Sequence, residues 1–414
     1  MLLVGFFFGV IAFNALSYSV RINLSFPDDA YNDHQHAIPN TRLHFSSTCN
    51  CSQNASSRSS RADTSGISKT PATGPNKLDI RFPDHNNTDN RNDKDKDSIQ
   101  DFDPQVPVAI VTKIHGRESF GSLVQSLCLL HHAYNHRVHY DVIVFLSTPI
   151  GPAQRLVYEQ TVAPAKLQLI VDNPGLKEMV DDLDTARQEH LLHRCNVSNS
   201  SQLTWNTPCL ERSSSGTTFL PIKYNWQAEF RSLHLWKHPI LAKYRYMLWM
   251  DSDGFCTKVW PNDPIATMRR NNLVLLFDNF PMGMATGSEW IPRTQKAFGQ
   301  KICSIRLLNG TLQANVGLCH HARQLRLVHG FFHITDLDFY RSDPVMNWQH
   351  IMIGDSKFSR KYDDQVAVTM PAAVLAGNRS WDMRSCGLNL SVMHNFKMDG
   401  RKKEKVGSFK RFWE

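Results

Sequence analysis

The 414-residue chain contains no CxxC pair, no GxGxxG and no P-loop. Without CxxC the cysteines make no zinc framework, and without the glycine-rich loops a nucleotide would have to be bound in some other way. No heptad or longer repeat persists, which excludes coiled coils and solenoids. Glycine (21) and proline (20) are ordinary in number, which excludes a collagen-like chain. Long apolar runs are missing beyond the first residues, and a mean hydropathy of −0.37 excludes a polytopic membrane protein. Charged residues are 20% and hydrophobic ones 41%, enough apolar content to exclude global disorder. The net charge of +8 owes some of its excess to the C-terminal tail, Arg401-Lys402-Lys403-Glu404-Lys405 with Lys410-Arg411. No zinc-finger spacing and no aromatic-interleaved RNA motif accompanies it. The charge therefore suits an anionic ligand without requiring nucleic acid.

Residues 2–13 are LLVGFFFGVIAF, and no charge appears before Arg21. About 20 apolar residues span a bilayer as a helix, so residues 1–20 read as a signal anchor, with a cleaved signal peptide ending near Ser17 or Ser19 as the alternative. Residues 21–104 are rich in Ser, Asn, Asp and Thr, and read as a flexible stem that cannot bury enough surface to offset its ordering entropy. Nine N-x-S/T sequons, at Asn23, Asn50, Asn54, Asn86, Asn196, Asn199, Asn309, Asn378 and Asn389, point to a lumenal chain. The nine cysteines fit an oxidising compartment, with Cys195 and Cys209, or Cys303 and Cys319, as candidate pairs, and an odd total leaves one over.

The body begins near residue 105. Val106–Val111 and Tyr140–Leu146 read as buried strands, and Leu167–Val171 as a third strand. The helical patterns of 119–135 and 152–163 separate them. Such alternation predicts a parallel sheet in an α/β fold, with ligands beyond the carboxyl ends of its strands. Residues 195–222 are polar and read as a loop. Trp226–Tyr244 reads as helical, broken at His238-Pro239. Tyr246–Met250, Leu273–Phe277 and Gly330–Ile334 read as further strands.

Candidate chemistry follows from position. Asp251-Ser252-Asp253 stands directly after the apolar strand 246–250. In extended backbone, residues i and i+2 point the same way. Asp251 and Asp253 could then address one hard divalent cation or a nucleotide sugar, the alternative being a capping role. The pattern itself is common here, recurring at Asp93, Asp95, Asp101, Asp182 and Asp336; only the apolar strand sets Asp251 apart. His394 follows the short apolar stretch Leu390–Met393, and a neutral imidazole beside carboxylates suits Mn²⁺; the alternative is a structural histidine. Asp363-Asp364-Gln365 opens a helix over Val366–Val368. Asp364 could cap it, contact a donor sugar or act as a base. Asp336 could support the site or cap a helix running from Asp338 to Met346.

Three stretches together resemble the fungal Golgi α-1,2-mannosyltransferases of glycosyltransferase family 15. The first runs from Ile110 to Leu146 through Ala133-Tyr134-Asn135-His136-Arg137. The second runs from Tyr224 to Cys256 and contains Phe230, Trp236-Lys237-His238-Pro239, Leu241, Tyr244, Tyr246 and Asp251-Ser252-Asp253. The third is Ile334–Ser342, followed by Asp363–Val366 and His394. The resemblance covers residues 105–400, with 401–414 a basic tail. It implies a GT-A-like, Rossmann-type mixed sheet flanked by helices in one catalytic domain. It also implies a single-pass type II Golgi membrane protein and a retaining hexosyltransferase. GDP-mannose would be the donor, a glycan or glycoprotein the acceptor and Mn²⁺ the cofactor. Asp253 and His394 match its metal ligands, with Asp251 beside them. The family carries Glu-Pro at the metal corner. It has a Glu, proposed as nucleophile, where this chain has His333, an Arg where it has Glu229 and a Gly where it has Leu233. His333 is thus expected at a catalytic position with Asp364 and Asp336. A UDP-sugar transferase and an inactive lumenal glycan-binding protein are the alternatives; a metal-dependent nuclease has only the basic charge in its favour.

Overall fold

The computed structural model describes residues 106–394 except 116–119, 173, 214–215, 279, 281–289, 318–324, 355–363 and 389. The expected anchor, stem and basic tail, together with Asp363, Cys319 and Asn389, lie outside the described residues. Among the described residues no helix is long and apolar enough to cross a membrane.

Three strands open the body: β1 (Val108–Ile114), β2 (Asp141–Leu146) and β3 (Leu167–Val171), paired in parallel in the order β3-β2-β1. All seven residues of β1 are buried, as an apolar strand covered on both faces requires. Helix Phe120–Leu130 buries Phe120, Leu123, Val124 and Leu127, the spacing of one helix face. It then widens into a π-turn, His131–Asn135. Asn135 closes that end: its amide donates to the Tyr140 carbonyl at 3.2 Å and its Oδ1 accepts the Tyr140 N–H at 2.9 Å.

Residues 195–222, expected as a loop, instead contain the hairpin β4 (Pro208–Ser213) and β5 (Gly216–Pro221). A Cys195–Cys209 disulfide ties β4 to helix Thr185–Cys195. Leu176, Val180, Leu191 and Ile222 pack around it as a small separate core. Polarity misled here because a two-stranded ribbon keeps much of its surface wet. Cys303 is also disulfide-bonded.

The remaining strands are β6 (Tyr246–Met250), β7 (Gly254–Cys256), β8 (Leu275–Phe277), β9 (Ile302–Leu308), β10 (Thr311–Val316), β11 (Phe332–Asp336), β12 (Ser380–Asp382) and β13 (Val392–His394). Among the described residues the main sheet has nine strands in the order β3-β2-β1-β6-β11-β8-β12-β10-β9. It is parallel from β3 to β6. Beyond β6 it is mixed, because β11 runs antiparallel to both β6 and β8 while β12 is parallel to β8. The fold is thus the mixed α/β sheet that the resemblance implied, not a wholly parallel one.

Two ladders set the site. The β6–β11 register pairs Met250 with Phe332 and Tyr246 with Asp336. Asp251 therefore lies just past one end of β6 and Asp336 at the other, roughly 16 Å away at about 3.3 Å per residue. A separate two-stranded ladder, β7 with β13, sets His394 opposite Gly254. The third chain segment at this edge is helix Asp364–Leu375.

Asp336 is a helix cap. Its Oδ1 accepts the Asp338 N–H at 2.9 Å and its Oδ2 receives Arg245 at 3.3 Å. The helix expected over Asp338–Met346 is two: Leu337–Tyr340, and Asp343–Ile353 with a proline in its first turn. Asp336→Ala should lower unfolding free energy by about 1–2 kcal/mol, measured by urea titration, and leave nucleotide binding unchanged. A loss of binding without loss of stability would return Asp336 to the site.

Candidate functional site

At the carboxyl edge of β6 the chain turns sharply, with Gly254 N–H donating to the Asp251 carbonyl at 2.8 Å. The turn aims both carboxylates toward β13. His394 Nε2 is 3.1 Å from Asp253 Oδ1 and 4.0 Å from Asp251 Oδ2. One donor atom from each of Asp251, Asp253 and His394 lies within 4.8 Å of the others. Two carboxylates and an imidazole form a donor set that fits a divalent cation of the Mn²⁺ type. Burial works against protonation of His394, but the hydrogen bond and charge of Asp253, with the charge of Asp251, raise its pKa above the ordinary value. A cation there would compete with that proton. Phe331 stacks on the His394 ring at 5.1 Å and His329 meets it edge-on at 5.5 Å.

Asp364 reaches this corner through Arg231. The Arg231 guanidinium pairs with Asp364 Oδ2 and lies 3.3 Å from Asp251 Oδ1. Trp249 Nε1 donates to the same Asp251 oxygen at 2.8 Å. Burial pushes the Asp251 carboxyl up; Arg231 and the indole bond oppose this, while Asp364 and Asp253 add to it. Sequence reasoning missed Arg231. The available signal was a cation directly after Phe230 in an apolar helical stretch, where a buried charge needs a partner.

The four residues Asp251, Asp253, Asp364 and His394 are therefore together. Asp336 is not among them. His333 lies inside the sheet, 2% exposed, opposite Trp249 on one side and Phe277 on the other. Burial, reinforced by the charge of Arg231, lowers its pKa to about 3. It is a neutral imidazole beneath the corner. Glu229, at the position of the family's arginine, is buried and bonded to His234 at 3.0 Å.

No family model matches this sequence, and no curated protein does. Solved structures do. Core-mannan synthase A (CmsA/Ktr4) from Aspergillus fumigatus, in its Mn/GDP form, is 17% identical, with a TM-score of 0.52 over 70% of this chain and 75% of its own. The mannosyltransferase Ktr4p from S. cerevisiae, in complex with GDP, is 14% identical, with a TM-score of 0.51 over 70% of this chain and 72% of its own. The structural neighbours are thus fungal mannosyltransferases at low identity. The shared property is the GT-A-like fold.

His333 carries a stability signature. Its folded pKa of about 3 lies below the roughly 6.5 of an unfolded histidine. The unfolded chain therefore binds the extra proton first as pH falls. Stability is fully present above about pH 6.5 and drops by up to about 1.4 kcal/mol per pH unit below it. His333→Gln should flatten that acid limb in denaturant titrations between pH 6.5 and 4. An unchanged limb would mean that this imidazole is already protonated in the fold.

Proposed function

We propose that the chain is a metal-dependent, retaining hexosyltransferase that moves mannose from GDP-mannose to a glycan or glycoprotein. The observation that carries this reading is the meeting of Asp251, Asp253 and His394 at the carboxyl edge of β6, in a fold whose solved likenesses are mannosyltransferases, one in an Mn/GDP form. Asp253 and His394 would hold Mn²⁺, with Asp251 beside them. When bound, the ion supplies Lewis-acid neutralisation of the leaving diphosphate.

The chain's own groups do the rest. Asp364, at the start of its helix, offers a carboxylate to a donor-sugar hydroxyl. Phe331 and His329 wall the corner with rings, which limits water around the reacting carbon. Neutral, buried His333 offers no carboxylate to an oxocarbenium-like centre. Same-face attack suits this geometry better than a covalent intermediate: the acceptor hydroxyl approaches on the side the diphosphate leaves from, and a diphosphate oxygen takes its proton. Electrostatic stabilisation then supplies most of the rate. The rival reading, a binding protein without activity, has His333 in its favour.

Location in the Golgi lumen, behind an N-terminal anchor, belongs to the same proposal. The Cys195–Cys209 disulfide supports an oxidising compartment. Asn196, Asn199, Asn309 and Asn378, four of the sequon asparagines, are all exposed, so each is open to a glycan.

Donor hydrolysis tests the function. Purified full-length protein with Mn²⁺ should release GDP from GDP-mannose and leave UDP-galactose and UDP-xylose intact. Asp253→Ala should abolish metal-dependent GDP binding in calorimetry, because the cation loses a charged ligand. His333→Glu should raise transfer only modestly. Release from a UDP-sugar would reassign the donor. An inert wild type that His333→Glu rescues would favour the inactive protein and an obligatory carboxylate.

A further inference from the structure

Arg231 leaves the π-turn Phe230–His234 and runs beneath the metal corner, its side chain 9% exposed. Three chain segments meet on its guanidinium. Nη1 faces Asp251 Oδ1 at 3.3 Å, past the end of β6, and pairs with Asp364 at the start of its helix. Nη2 donates to the Gly330 carbonyl in the approach to β11. The guanidinium carbon sits 4.2 Å from the Trp249 ring centroid, within cation–π range. The cradle is tight: a Cβ at Gly330 would lie 3.0 Å from Asp364 Oδ2 and 3.3 Å from Arg231 Nη2.

This arrangement divides the two aspartates of the corner. Asp251 Oδ1 is held by Trp249 and Arg231, leaving only Oδ2 toward His394. Asp253 meets His394 directly. We propose that Arg231 is a positioning residue. It retains Asp251 as an anchor whose charge is largely answered inside the protein, so that Asp253 and His394 are the dominant donors to the cation. It also fixes Asp364 against the same corner. The inference rests on the metal-dependent reading above. Its physical content is a trade: a fixed positive charge weakens cation binding by repulsion, and in return Asp251 and Asp364 keep one geometry. A planar fork is needed, because a lysine ammonium is a point charge that cannot address Asp251, Asp364 and the Gly330 carbonyl at once.

Calorimetry with Mn²⁺, with transfer kinetics alongside, tests this on the full-length protein. Arg231→Met should bind Mn²⁺ more tightly, by about tenfold, as expected when a fixed charge near a cation is removed. Its kcat should fall by about 100-fold with little change in KM, because Asp364 loses its position. Arg231→Lys keeps the charge, so its Mn²⁺ affinity should stay within about twofold of wild type while kcat falls about tenfold. A merely structural arginine would lower melting temperature in both variants without tightening metal binding. Asp251→Asn supplies a second arm should Arg231→Met not fold. It should weaken Mn²⁺ binding by less than about threefold, against more than about 100-fold for Asp253→Asn, which removes a direct charged donor. Equal losses in the two aspartate variants, or an Arg231→Met protein that binds Mn²⁺ no more tightly than wild type, would overturn this assignment alone. A wild type that binds no Mn²⁺ would overturn the metal-dependent reading and this assignment with it.

Discussion

Strand β6 is paired on both sides, parallel to β1 and antiparallel to β11, and all five of its residues are buried. A slip of one residue would turn every side chain to the opposite face. Trp249 and Met247 would leave the core they share with Ala109, Val111 and Phe277. The register is therefore held by packing, and the site depends on it. It puts Asp251 at the carboxyl edge and Trp249 two residues earlier, with its indole donating to that carboxylate. The same constraint places Asp336 at the far end.

Buried charge at this edge is organised by two consecutive residues. Phe230 packs under Lys113 Nζ, 3.9 Å from its ring, and Lys113 pairs with Asp172 just beyond β3. Burial lowers the Lys113 pKa, against the pull of Asp172. Arg231, the next residue, serves Asp251 and Asp364. Two cations thus lie under the carboxyl edge, each with a carboxylate partner, as burial of charge requires. The π-turn at Phe230–His234 lets neighbouring residues serve separate clusters, a local widening of a kind often found at functional sites.

The fold is shared with proteins 17% and 14% identical, and this is physically reasonable. A sheet covered by helices needs apolar residues of about the right volume, which many sequences supply. Chemistry depends on a few positions and does not follow from the fold. His333 illustrates the difference. In β11 it fills the space of a buried residue and pairs normally in the ladder, so the fold tolerates it. Under the proposed function, its neutrality leaves no carboxylate at that position.

Much was legible along the chain because it is local. The apolar runs of β2 and β6 are continuous, and continuous burial leaves a continuous signature. Asp251 and Asp253 stood out since they follow such a run directly. The hairpins at 208–221 and 302–316 were not legible as strands, since half-wet ribbons carry little apolar signal. Helix Asp343–Ile353 was misplaced because the Asp336 cap starts a short turn that ends before it. Residue type and spacing alone thus determined an α/β body and a carboxylate pair at a strand end. Tertiary structure alone decided that His394 meets Asp253 across 141 positions, that Arg231 joins Asp251 to Asp364, and that Asp336 stands apart. Those outcomes depend on strand order and register, which are set by long-range packing and leave no mark on the residues between them.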